Sequence, residues 1–208
     1  MFQLDPSLPA AVGPISWLVG VWEGSGVVAY RTPDGLVEHE FGQRVAFSND
    51  GSPHLQYASS AWLLGGEGDD ASEGLSGGAP LFSEIGYWRL SRQFGDADPG
   101  PGMLPGVGEP VYTTAEAVET LRTPEGGFEV EAAILHPGGV SEVYVGQANG
   151  PRIDLATDAV MRTAGAKEYS AATRLYGLVE EHLLWAWDIA ALGQPLATHA
   201  SGRLARVD

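Results

Sequence analysis

The chain has 208 residues, 44% of them apolar and 18% charged, with 29 glycines, 14 prolines and no cysteine. Eleven Lys and Arg against 27 Asp and Glu leave a formal net charge of −16, which argues against nucleic acid or an anionic membrane surface as a partner. Without cysteine there are no disulfides, thiolate metal sites, iron–sulfur clusters or thiol nucleophiles, and the length suits one domain with a sizeable core.

Taken in chain order, residues 1–12 read as a tail and 13–208 as a single domain. No basic leader opens the chain, and no apolar run approaches the roughly 18 residues needed to cross a bilayer, so a cytoplasmic protein without a membrane span is expected. Ile15–Val19 is expected to form a short helical turn that plugs one end of the fold. Beyond it, clusters of Gly and Pro separate short alternating segments, the punctuation of an antiparallel β protein. These segments fall near 22–30, 36–48, 54–64, 83–94, 111–122, 127–135, 140–148, 152–163, 168–179 and 182–207, the last expected to break in two. Asn49-Asp-Gly51 marks a hairpin turn. Phe128, Val130, Ala132 and Ile134 alternate with Glu129 and Glu131, as a half-buried strand requires. Gly65–Pro80 and Gly95–Pro110 lack periodicity and read as long loops, solvated extensions in the simpler account and cavity lids in the other.

About ten strands joined in sequence can form a sandwich or close into a barrel, and closure removes exposed edges without helices to cover them. The expected fold is therefore all-β: a closed antiparallel ten-stranded barrel of the lipocalin and fatty-acid-binding-protein type. A barrel of that size is too wide for side chains to fill and encloses a ligand cavity.

Three features carry chemical information. In Gly20-Val-Trp22-Glu-Gly24-Ser-Gly26, Trp22, Gly24 and Gly26 share one face. The glycines serve either close backbone approach at a barrel corner or the clearing of space beside a flat ligand, in which case Gly24 and Gly26 border the cavity. Glu84-Ile-Gly-Tyr-Trp-Arg89 holds an acid, two aromatics and a base, either as a buried ion pair or as strand decoration. The five histidines, His39, His54, His136, His182 and His199, lack the spacing of a local zinc site. The first four read as turn or surface residues. His199 differs, because Ala200, Ser201 and Gly202 leave room above an imidazole.

These pieces, in this order, resemble the nitrobindin family, the haem-binding β-barrel domain related to fatty-acid-binding proteins. The resemblance runs from Ile15 to Val207 and rests on the Gly20–Gly26 signature, the Glu84–Arg89 strand, Arg174-Leu-Tyr-Gly177, and the closing Pro195–Val207 segment with His199. It implies one haem b per chain with His199 as the proximal axial ligand of the iron, and further cofactor contacts at Thr32 and Thr173. It also implies a ferric haem that binds nitric oxide and isomerises peroxynitrite to nitrate, in a monomer or homodimer. Val28 stands where family members commonly extend the glycine series, and Thr173 where a basic residue is frequent. Strict alternation sets His199 on the face of Ser201 and Arg203, so a bulge intervenes or the barrel is polar inside at that end. The alternative function is a lipocalin-like carrier of fatty acid or another apolar molecule, without catalysis.

Overall fold

The computed structural model describes residues 7–32, 35–64 and 78–207. Its strands are β1 (Gly20–Thr32), β2 (Gly35–Ser48), β3 (Leu55–Leu63), β4 (Pro80–Leu90), β5 (Phe128–His136), β6 (Val140–Ala148), β7 (Arg152–Arg162), β8 (Tyr169–Val179), β9 (His182–Ala191) and β10 (Ala197–Arg206). Each pairs antiparallel with its neighbours in sequence, and β1 pairs with β10 to close the barrel. The period-2 pattern decides which side chains face inward. Phe41, Gln43, Val45 and Phe47 of β2, Trp88 and Leu90 of β4, and Val130, Ala132 and Ile134 of β5 are buried.

Two ends follow from this meander. At one end a 3-10 segment, Ala10–Leu18, lies across the opening, with Val12, Ile15 and Leu18 removed from solvent and packed in the main core with Trp22 and Trp88. The Trp22 indole Nε1 donates to the Leu18 carbonyl at 2.7 Å and ties the segment to β1. The expected plug is thus present and longer than Ile15–Val19. It begins at Ala10 and buries Ala11 and Val12, within the stretch read as a tail. The opposite end, where β1, β3, β5, β7 and β9 finish, has no such cover among the described residues.

The loops divide accordingly. The connection from β4 to β5, which contains Gly95–Pro110, lies at the plugged end and cannot act as a lid over the open one. It is held by Arg92, whose Nη1 donates to Asp98 Oδ2 at 2.7 Å and whose guanidinium lies over the Phe94 and Tyr112 rings. The paired guanidinium holds the Asp98 carboxyl down at about 2. Gly65–Pro80 connects β3 to β4 at the open end, and its residues 65–77 lie outside the described residues.

One expected strand is absent. Residues 111–122 contain a helix, Ala115–Glu119, whose start is fixed by Thr114: its hydroxyl accepts the Ala117 N–H at 3.2 Å, and Glu116 sits in the first turn. A threonine cap ahead of good helix formers outweighs the weak alternation that suggested a strand. The count of ten survives because 182–207 does break in two, at residues 192–196.

The Gly20–Gly26 signature belongs to the seam between β1 and β10. Gly20 has φ +131°, a conformation that favours glycine. A Cβ on Gly24 would collide with the Arg203 carbonyl oxygen, and one on Gly26 with the Ser201 carbonyl oxygen and the Phe41 ring. Neither glycine lines the inner cavity described below, which Val28 reaches on the same strand. The backbone-approach account therefore holds, and the cavity-bordering role is corrected. Gly24→Leu should lower stability by about 2 kcal/mol or more, by overpacking the seam, rather than selectively reducing ligand capacity. Thermal melting of the ligand-free protein checks this, and a melting curve matching that of the parent would overturn it.

Candidate functional site

The open half of the barrel holds a cavity of about 160 Å³. Its wall is built from inward positions: Phe41 and Val45 of β2, Phe82 of β4, Trp185 and Trp187 of β9, and His199 with Ala200 of β10. One pair of charges faces it. Arg174 on β8 donates to both Glu84 carboxylate oxygens at 2.8 Å, while its Nε donates to the Tyr144 hydroxyl at 2.9 Å. Burial alone would pull the guanidinium toward neutrality, but the Glu84 charge outweighs it and holds Arg174 firmly protonated. Tyr57 donates to Glu84 as well. Glu84 therefore forms a buried ion pair, with Arg174. Arg89, five residues away, faces outward and binds Glu131, since strand alternation puts positions an odd number apart on opposite faces.

Behind the pair lies Glu142. It accepts from Tyr144 at 2.7 Å, from Tyr169, and from His136 Nε2 at 2.6 Å. Burial works against its charge, yet these hydrogen bonds and Arg174 keep it below the usual carboxylate range. His136, read from sequence as a solvated turn residue, is thus a half-buried network member whose ring lies parallel to Trp187 within 8°. The Pro-Gly turn after it pointed to solvent, but His136 is the last residue of β5 and continues its inward face.

A register shift between Thr198 and Ala200 settles how His199 can face inward. Thr198 pairs with Asp188 and Ala200 with Trp187, so His199 is the extra residue of a bulge. Its ring meets Trp187 edge-to-face at 83° with centroids 5.7 Å apart. It also borders a second, outer cleft, lined by Tyr30, Arg31, Leu36 and Ile189 among others. Burial lowers its pKa below the ordinary 6.5, partly opposed by a hydrogen bond to the Ala29 backbone. The result is an imidazole whose neutral form is favoured, the form that carries the lone pair a metal requires. The other histidines have different commitments. His39 meets the Tyr30 hydroxyl, His54 the Tyr87 ring, and His182 the Glu180 carbonyl.

The sequence matches the THAP4-like, heme-binding beta-barrel domain over residues 11–206. The chain belongs to that family. It is 62% identical over 208 residues, the full length of both chains, to a protein of Clavibacter michiganensis named peroxynitrite isomerase. It is 60% identical, again over both full lengths, to one of the same name from Leifsonia xyli. Among solved structures, Rv2717c from M. tuberculosis superposes with a TM-score of 0.64 at 25% identity, over 99% of this chain and all of the other.

The residues present fit a haem-binding barrel. A single neutral imidazole suits an iron that brings four nitrogens of its own, and among the described residues no group of three or more His, Cys, Asp or Glu is placed to hold a bare metal ion. Aromatic and aliphatic walls suit a macrocycle, and the outer cleft gives an anionic edge a way to water beside Arg31. Two other expected contacts lie elsewhere. The Thr32 hydroxyl donates to the Gly35 carbonyl at 3.2 Å in the β1–β2 turn. Thr173, on the outward face of β8, donates to Asp188 at 3.3 Å. Neither lines the cavity or the cleft, because Thr173 alternates with the inward Ala172 and Arg174, and Thr32 lies at the strand end. The sequence reading overlooked Trp187, Arg174 and the His136–Glu142 pair. A signal for Arg174 existed in the opposite charges at inward positions of two apolar strands.

Proposed function

We propose that this chain is a haem-dependent isomerase that converts peroxynitrite to nitrate, with His199 as the axial ligand of one haem b. The observation that carries the reading is the neutral, half-buried His199, presented by a bulge on the closing strand between an aromatic cavity and an outer cleft. Relatives at 60–62% identity over their whole length, named for this reaction, support it.

Bound there, a ferric haem would supply a Lewis-acidic iron for the isomerisation of peroxynitrite to nitrate. The chain's residues do the rest. His199 would offer its lone pair to the iron, and burial favours the neutral ring that can do so. Phe41, Val45 and Phe82 exclude water and retain reactive fragments. Arg174 and Glu84 neutralise one another, so the wall presents no uncompensated charge to an anion. Arg31, at the outer cleft, locally offsets a net charge of −16 that otherwise slows an anionic substrate. Nitric oxide is the expected competing ligand of the same open position. We further read 13–208, with the plug residues from Ala10, as one domain that works in the cytoplasm as a monomer or homodimer, without nucleic acid or membrane partners. Among the described residues no helix is long and apolar enough to cross a membrane.

Rapid mixing of peroxynitrite with the haem-reconstituted protein tests the reaction. The expected result is accelerated decay with nitrate gained at the expense of nitrite. Decay at the buffer rate, together with tight binding of a fluorescent fatty acid in the same cavity, would establish the carrier function instead.

A further inference from the structure

The geometry points to Trp187 as the positioning residue of His199: its indole, clamped from behind by Arg174 and His136, fixes the plane in which the imidazole presents its lone pair. This inference rests on the assignment of His199 as the axial ligand. A histidine placed by a bulge has an inherent weakness, because the extra residue is left out of the regular ladder and its side chain is not aligned by cross-strand neighbours. The ring therefore needs an external reference. The Ala29 backbone lies close enough to influence the imidazole, but the ring contact that sets its plane comes from across the ladder. Trp187 is the residue facing the bulge in the ladder, as the partner of Ala200, and its ring meets His199 near the perpendicular, at 83° and 5.7 Å. Edge-to-face contact of this kind resists rotation of the imidazole.

Trp187 can serve as a reference only if it is itself immobile, and its surroundings supply that. It is 8% exposed. The Arg174 guanidinium, locked by two bonds to Glu84, lies 4.4 Å from the indole centroid. His136, held by Glu142, lies parallel to the ring within 8°, with a centroid separation of 6.1 Å, and Phe82 packs at 5.4 Å. The two buried carboxylates thus act on the ligand at one remove: they fix a cation and an imidazole, which fix the indole, which orients His199. This gives the network a use in the site although none of its polar atoms is a candidate metal ligand.

The test compares Trp187→Leu, Trp187→Phe and the parent as haem-reconstituted full-length proteins, by haem transfer to excess apomyoglobin and by the ferric absorption bands. Loss of an orienting partner typically costs about tenfold or more in metal affinity, so Trp187→Leu should release haem about tenfold faster, with shifted ferric bands. Trp187→Phe keeps a ring for edge-to-face contact and should return release to within about threefold of the parent. A merely structural Trp187 would not move the bands, and release by the Leu variant at the parental rate with parental bands overturns the proposal. So does a Phe variant no better than Leu. Should the Leu variant fail to fold, the parent alone decides. In the haem-free protein the ring protons of His199 must show a Trp187 ring-current displacement and a Trp187–His199 nuclear Overhauser contact, and their absence overturns the proposal as well. Failure of the parent to bind ferric haem, or retention of its spectrum by His199→Ala, would instead locate the fault in the axial assignment.

Discussion

His199→Ala abolishes the ferric haem spectrum and the nitrate-forming activity while the barrel still closes. The expected loss is close to complete, because among the described residues no second histidine borders the cavity with an uncommitted nitrogen, and the chain has no cysteine to take over the iron. The cost to the fold is small. His199 is the extra residue of a bulge, so its backbone contributes little to the ladder, and truncating a half-buried side chain falls among ordinary surface-to-intermediate substitutions of about 1 kcal/mol or less. Absorption titration with ferric haem, beside a far-UV spectrum of the same sample, checks both halves. A variant that retains the parental Soret band shows that the iron is held elsewhere.

Arg174→Met produces the largest expected loss of stability, about 3–5 kcal/mol, because it removes one partner from a buried ion pair and leaves Glu84 and Glu142 as uncompensated charges. The double change Arg174→Met with Glu84→Gln should recover much of that loss, since replacing both members takes away the unpaired charge as well as the pair. Urea denaturation of the ligand-free proteins measures this. If the single and double variants unfold at the same midpoint, the two residues are not energetically coupled. The measurement should be made above pH 6, where Glu142, held below the usual carboxylate range, is ionised.

The fold was legible wherever one physical rule acted alone. Phe128, Val130, Ala132 and Ile134 stand two residues apart, and the structure turns all four inward and Ala133 outward. The plug was legible because Ile15, Trp17, Leu18 and Val19 make the segment apolar but for Ser16 just ahead of the first strand. Reading failed where a local rule competed with a longer-range one. At 111–122 the Thr114 cap and helix-forming residues prevailed over weak alternation. At His136 the Pro-Gly turn concealed that the last strand residue still faces inward, toward Glu142. The resemblance singled out His199, and the conflict of its position with strict alternation left a bulge as one of two outcomes, the one the register shift shows. Thr32 and Thr173 were carried over from a family pattern, and their hydroxyls donate to Gly35 and Asp188. Pairing across the barrel was out of reach. That Glu84 meets Arg174 rather than Arg89 depends on which strands lie opposite one another in space, which periodicity along the chain does not specify.

The β1–β10 seam joins the two ends of the chain, and every other pairing in the barrel is a hairpin between neighbours in sequence. Its last paired residues, Val28 and Ala200, adjoin both the Ala29 carbonyl and the bulged histidine. The bulge that presents His199 is set by the β9–β10 hairpin, whereas the Ala29 backbone beside it belongs to β1, so the two meet only when the seam closes. On the proposed axial assignment, closure of the first strand on the last completes the surroundings of the imidazole. Gly24 and Gly26, where a Cβ would strike the carbonyl oxygens of Arg203 and Ser201, let that seam zip shut.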